Sequence, residues 1–187
     1  MADLTSNIFH EFAAGARIVL TCILAAIIYG MVHDQFTARI CVEYFTIGHE
    51  PIFGTNDPTI LAIGWGFMAT WWMGAILGVP MALACRAGKR PKIEPVAIIR
   101  PIGNLLLVMG VLAAISGLTG WALARSGHIH LEGKMGSRVP ADRHVVFLAD
   151  FWAHNMSYLA GLVGGLAVIR STWQKRKKMA RLTLIQA

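Results

Sequence analysis

Residues Thr59 to Cys85 form a run of 27 residues without one Asp, Glu, Lys or Arg. A helix rises about 1.5 Å per residue, so about 20 apolar residues cross a bilayer core of about 30 Å. A run of this length has lipid as its solvent. In lipid every backbone N–H and C=O must be satisfied internally, which restricts the chain to helices or a closed barrel. Composition agrees, since 56% of the 187 residues are hydrophobic and only 14% are charged. Average soluble domains carry about 25% charged residues.

Four spans are predicted, at residues 13–32, 60–85, 98–124 and 145–169. Together they make residues 1–187 a single transmembrane domain, an all-α four-helix bundle with a basic tail at 170–187. Pro101 suits the first turn of the third span, where its missing N–H costs little. The first span has no small-x-small cleavage site behind it and reads as an uncleaved anchor.

Orientation follows from Lys and Arg in the short connections. Arg17, the connection Arg86–Arg100 and the tail Arg170–Arg181 place 12 of the 17 basic residues on one side. The expected location is a bacterial inner membrane with both termini cytoplasmic. The net charge of +7 is accounted for by topology. With no nucleic-acid-binding spacing present, nucleic acid is excluded as a partner. The expected partners are the lipid bilayer and other membrane proteins.

Small residues recur at helical spacing. Gly66, Thr70, Gly74, Gly78 and Ala82 are four apart, and Gly103, Gly110, Gly117 and Ala124 are seven apart. Such stripes let helix backbones approach closely in lipid. Packing within one bundle is the favoured use, and self-association the other. Trp71 and Trp72 lie mid-span, unlike the belt tryptophans, and are expected to pack in the core. The cysteines at 22, 41 and 85 lie at different predicted depths and are expected to be free.

The connection after the first span alternates apolar Phe36, Ala38, Ile40, Val42 and Tyr44 with more polar neighbours. This period of two predicts a partly extended outer loop between helices 1 and 2. Six of the seven histidines fall on the expected outer side, among carboxylates. Imidazoles mixed with carboxylates suit a borderline divalent metal or acid–base chemistry. Asp150 and His154 are four apart on the glycine-bearing face of the fourth span, so His154 is expected to point into the bundle. An ionisable residue inside a span is a functional-site hypothesis by default. If the outer loop folds down, Glu43 and His49 meet Asp150 and His154. These four are the expected ligand set for a divalent ion. His128 and His130 sit in a polar loop and are left out of it. Only His154 lies at bundle depth, which argues against bis-histidine haem.

Three segments carry a resemblance: Glu43-Tyr-Phe-Thr46, Ala69-Thr-Trp-Trp-Met-Gly74 and His154-Asn-Met-Ser-Tyr158. In this order they resemble a family of bacterial four-span integral membrane proteins of uncharacterised activity. The resemblance implies the same four-span fold and supplies no activity. It marks Glu43, Trp71, Trp72, His154, Asn155 and Tyr158 as positions in the characteristic segments. The leading functional expectation is a small binding or accessory membrane protein with an outward-facing His/carboxylate site at the mouth of the bundle. A metal-dependent membrane enzyme at the outer face and a transporter or channel subunit are the alternatives.

Overall fold

The computed structural model describes residues 2–185, so Met1, Gln186 and Ala187 of the expected domain and tail lie outside it. The described residues are helical, with no strand among them. Helix α1 runs Ala2–Ile40, a short α2 Val42–Thr46, α3 Pro58–Met68, α4 Trp71–Arg86, α5 Ile99–Arg125, a short α6 Gly133–Arg138 and α7 His144–Ile185. Among the described residues, three apolar stretches are long enough to cross a membrane: Phe9–Ile40, Pro58–Arg86 and Pro95–Arg125. Asp57 starts the second by capping: its carboxylate accepts from the backbone of Thr59 and Ile60, with Pro58 in the first turn.

The helices form two antiparallel pairs. In one, α1 lies against α3 and α4 through the first glycine stripe. A methyl group at Gly66 would sit 2.5 Å from the Met31 nitrogen, and one at Gly74 2.6 Å from the Ile23 Cα. In the other, α5 lies against α7: Gly117 faces Ala153, Gly120 faces Trp152 and Gly161 faces Met109. Gly165 of α7 meets Leu77 of α4 across the seam between the pairs. The stripes of α3 and α4 are thus used for packing inside one chain. Gly103 and Gly110 are different: a methyl group added at either position would meet nothing within 4 Å.

Each end of the bundle is tied by charge. At the basic end, Arg86 is bidentate to Glu11 at 2.7 and 3.0 Å and also reaches Glu94 at 2.9 Å. At the other end, Arg143 holds Glu43 at 3.0 Å and donates to the Ile40 carbonyl at 2.9 Å.

Three sequence expectations are corrected. The segment after residue 32 is not extended, because α1 continues to Ile40 and α2 follows after Cys41. Its inward positions are Asp34, Thr37, Ala38 and Cys41, a helical i, i+3, i+4, i+7 set. Phe36 and Ile40 are apolar but face outward, at 69% and 48% exposure, which produced the false alternation. Trp71 and Trp72 are not core residues, being 44% and 39% exposed. In a membrane large apolar side chains gain little by turning inward, and small residues take the interfaces. The cysteines are free, yet Cys22 packs against the cluster that contains Cys85, so these two lie closer in depth than the spans implied.

Candidate metal centre

The seam between the helix pairs opens into a chamber of about 80 Å3 in the half of the bundle under α2. A water needs at least ~10–15 Å3, so the chamber is roomy enough to hold water. His33 and Asp34 enter from α1, Tyr44 and His49 from α2 and the loop after it, Trp65 and Thr70 from the second span, and His154 from α7. The second span is broken at Ala69–Thr70, on the chamber wall. Irregular backbone at membrane depth is tolerated where it lines a cavity. The Tyr158 hydroxyl donates to the Ala69 carbonyl at 3.2 Å and satisfies that break from α7.

The chemistry centres on His154. Its Nδ1 lies 2.8 Å from the Asp150 carbonyl oxygen. A carbonyl only accepts, so Nδ1 carries the hydrogen. Its Nε2 lies 3.2 Å from Asp34 Oδ1. A neutral imidazole with its hydrogen on Nδ1 turns a bare lone pair toward that carboxylate. Lone pair against lone pair is repulsive, so this contact calls for either a second proton or a metal ion between the two atoms.

Further possible donors lie around this contact. His33 Nε2 is buried without a hydrogen-bond partner among the described residues. One ligand atom each from His33, Asp34 and His154 lie within 4.8 Å of one another. Bonds of about 2.0–2.2 Å at a tetrahedral metal put neighbouring ligand atoms about 3.4 Å apart. The Asp34–His154 separation of 3.2 Å is already that edge. His33 brings a second imidazole within 4.8 Å, which would complete a two-histidine, one-carboxylate set. The Asp150 carbonyl takes the outer N–H of His154, as metal-ligating histidines require for orientation. Aromatic rings fix the imidazoles: Tyr44 stacks on His154 at 4.4 Å and Tyr29 on His33 at 5.7 Å between centroids. The two imidazoles are themselves in edge contact at 4.7 Å, leaving no gap for a porphyrin plane.

The four residues expected as ligands are distributed as follows. His154 is in the cluster, and Asp150 is beside it, 1% exposed with Oδ2 unpartnered among the described residues. His49 lines the same chamber, but its Nδ1 is engaged with the Tyr44 carbonyl at 2.9 Å. Glu43 sits apart in its ion pair with Arg143. Burial alone would raise the Glu43 carboxyl, but its own backbone N–H, Arg143 and the Cys41 thiol together hold it below the ordinary value. Of the other marked positions, Asn155 donates to the Phe151 carbonyl on the outer surface, and Trp72 stacks with Tyr158 at 6.5 Å.

Sequence reasoning missed His33 and Asp34 by ending the first span at Val32. The signal was present: Gly30, Asp34 and Ala38 continue one helical face by steps of four.

Cys41 roofs this region and is fully buried. Burial pushes its thiol up to about 12, with the charges of Asp150 and Glu43 adding to the effect and a bond from the Tyr44 backbone opposing it. Only the thiolate reacts with electrophiles. Cys41 is therefore expected to stay unlabelled by N-ethylmaleimide at pH 8 in folded protein and to label fully in dodecyl sulfate, as peptide mass mapping would read. Labelling before unfolding would show that α2 opens readily.

Compared with known families, characterised proteins and solved structures, the chain matches none.

Proposed function

We propose that this protein is a four-span inner-membrane protein that binds one divalent transition-metal ion through His33, Asp34 and His154, as a small binding or accessory protein. Four spans are supported by α7, which lies antiparallel to α5 from Leu148 beside Gly120 to Gly164 beside Leu105. Basic residues on the Arg86–Arg100 connection and the tail support cytoplasmic termini and a site in the outward half. The carrying observation is the Asp34–His154 contact, in which Nδ1 is already a donor and Nε2 faces a carboxylate oxygen. Zinc, or a similar borderline ion, is the match to two imidazoles and one carboxylate.

A metal-dependent enzyme acting at the outer face is the second reading. Three protein ligands leave a fourth tetrahedral position open, the pattern of catalytic rather than structural zinc. Here that position would face the chamber. Cobalt substitution separates the two readings. Visible bands that shift when azide is added report an open position, and bands that do not shift report a closed one.

The test of metal binding is elemental analysis of the full-length protein in detergent after zinc loading and desalting. Wild type is expected to hold near one equivalent. His154→Ala and Asp34→Asn are each expected to lose it, with affinity falling at least a hundredfold. Glu43→Gln is expected to keep it, because Glu43 is committed to Arg143. Folded wild type without bound metal, or equal zinc in His154→Ala, overturns the proposal.

A further inference from the structure

At the basic end, the loop Ala87–Pro91 and the extension of α7 enclose a groove of about 690 Å3. It lies at the boundary of the apolar zone, since one candidate span ends at Arg86 and the next begins at Pro95. Its walls present Lys89, Arg90 and Trp173, with Ala180 and Leu184 beyond. The Arg90 guanidinium stacks over the Trp173 ring at 4.6 Å. Its Nη1 is buried and has no hydrogen-bond partner among the described residues. Lys177 lies four residues after Trp173 and three before Ala180, on the same helical face.

Among the described side chains, the two carboxylates at this end are already engaged. Glu11 and Glu94 are both committed to Arg86, and Lys92 adds a further cation beside Glu11 at 3.7 Å. Arg176 lies within the same set of cations. Burial holds it below its ordinary value, and the neighbouring Arg90 and Arg86 add to that, against opposing effects of Cys85 and Glu11. A surplus of cations beside an open groove lined by Lys89 and Arg90 suits an anion. Guanidinium groups match phosphate oxygens closely. Clusters of Lys and Arg beside a span attract anionic headgroups.

We propose that this groove is a binding site for the phosphodiester headgroup of an anionic glycerophospholipid. The phosphate sits in the groove between Lys89 and Arg90, at the level of Trp173, with Lys177 on the adjoining face of α7. Trp173 is the kind of residue that anchors at headgroup depth.

The test is native mass spectrometry of the full-length protein released from detergent with added phosphatidylglycerol or phosphatidylcholine. Phosphatidylglycerol adducts are expected to survive at collision energies that strip phosphatidylcholine. Lys89→Gln and Lys177→Gln are each expected to weaken phosphatidylglycerol binding about fivefold, the contribution of one basic residue near a membrane surface. Both change exposed side chains and leave the fold intact. Arg90→Gln is expected to weaken it further, and Lys134→Gln at the opposite end to leave it unchanged. Equal retention of the two lipids overturns the proposal. So does unaltered binding in the Lys89→Gln, Lys177→Gln double variant, or displacement of the lipid by millimolar inorganic phosphate, which would mark the groove as a general anion site.

Discussion

Replacing Arg176 by leucine is expected to lower stability by about 4 kcal/mol and to free the loop at the basic end of the bundle. Arg176 is fully buried. No carboxylate pairs with it among the described residues. Its guanidinium instead donates to four backbone carbonyls: Pro91 at 2.7 Å, Ala84 and Ala87 at 2.9 Å, and Arg90 at 3.1 Å. Ala84 lies in the last turn of α4, where unpaired carbonyls give the helix its negative end. One rigid fork from α7 thus caps α4 and sets the path of the chain into α5. Charge-assisted bonds contribute about 1.5–3 kcal/mol each, and part of that returns when freed carbonyls meet water. The unfolding midpoint is expected to fall about 8–16 °C, at ~2–4 °C per kcal/mol for a chain of this size. Lysine at 176 is expected to recover less than half, because an ammonium cannot reach four carbonyls in one plane. A midpoint within about 2 °C of wild type, with the loop 86–95 still resistant to protease, would show that these carbonyls are already hydrated.

Arg176 also marks where sequence reasoning stops. In the sequence it is one of six basic residues in a tail, indistinguishable from Lys175 or Lys177. What separates it is the folded loop it enters, and the tail's periodicity carries no sign of that loop. The first three spans were legible because a hydrophobic run against a fixed bilayer thickness is a one-dimensional signal. The close packing of α1 on α3 and α4 was legible for a similar reason, since the small-residue stripe on the second span occurs every four residues. The site was half legible. His154 could be placed inside the bundle from its shared face with Gly161. Its partners came from the other helix pair, 120 residues away in the case of Asp34. They were hidden because α1 continues past the point where its apolar run stops. An outward apolar residue such as Phe36 then imitates a strand, since lipid outside the protein removes the usual contrast between faces.

The second large effect is expected at Gly66, and it links packing to the proposed metal site. An alanine methyl group there would lie 2.5 Å from the Met31 nitrogen, 2.6 Å from its Cα and 2.7 Å from the Gly30 carbonyl carbon. These are backbone atoms and cannot rotate away. Carbon contacts are most favourable at about 3.5–4.0 Å, so α1 and α3 must separate by about 1 Å. Overpacking of this kind costs about 1–3 kcal/mol. His33 and Asp34 follow Met31 within one helical turn, while His154 is carried by the other helix pair. A shift of α1 therefore changes the distance between Asp34 and His154 directly. Gly66→Ala is expected to weaken zinc binding at least tenfold in protein that still folds, and Gly66→Leu to prevent assembly. Gly103→Ala is the control, because its methyl group meets nothing within 4 Å. That change should leave zinc binding intact and leave stability unchanged or slightly higher, as alanine is the better helix former. If Gly66→Ala and Gly103→Ala bind zinc equally, α1 can yield without moving its histidine and aspartate, and the coupling of the glycine seam to the site is disproved.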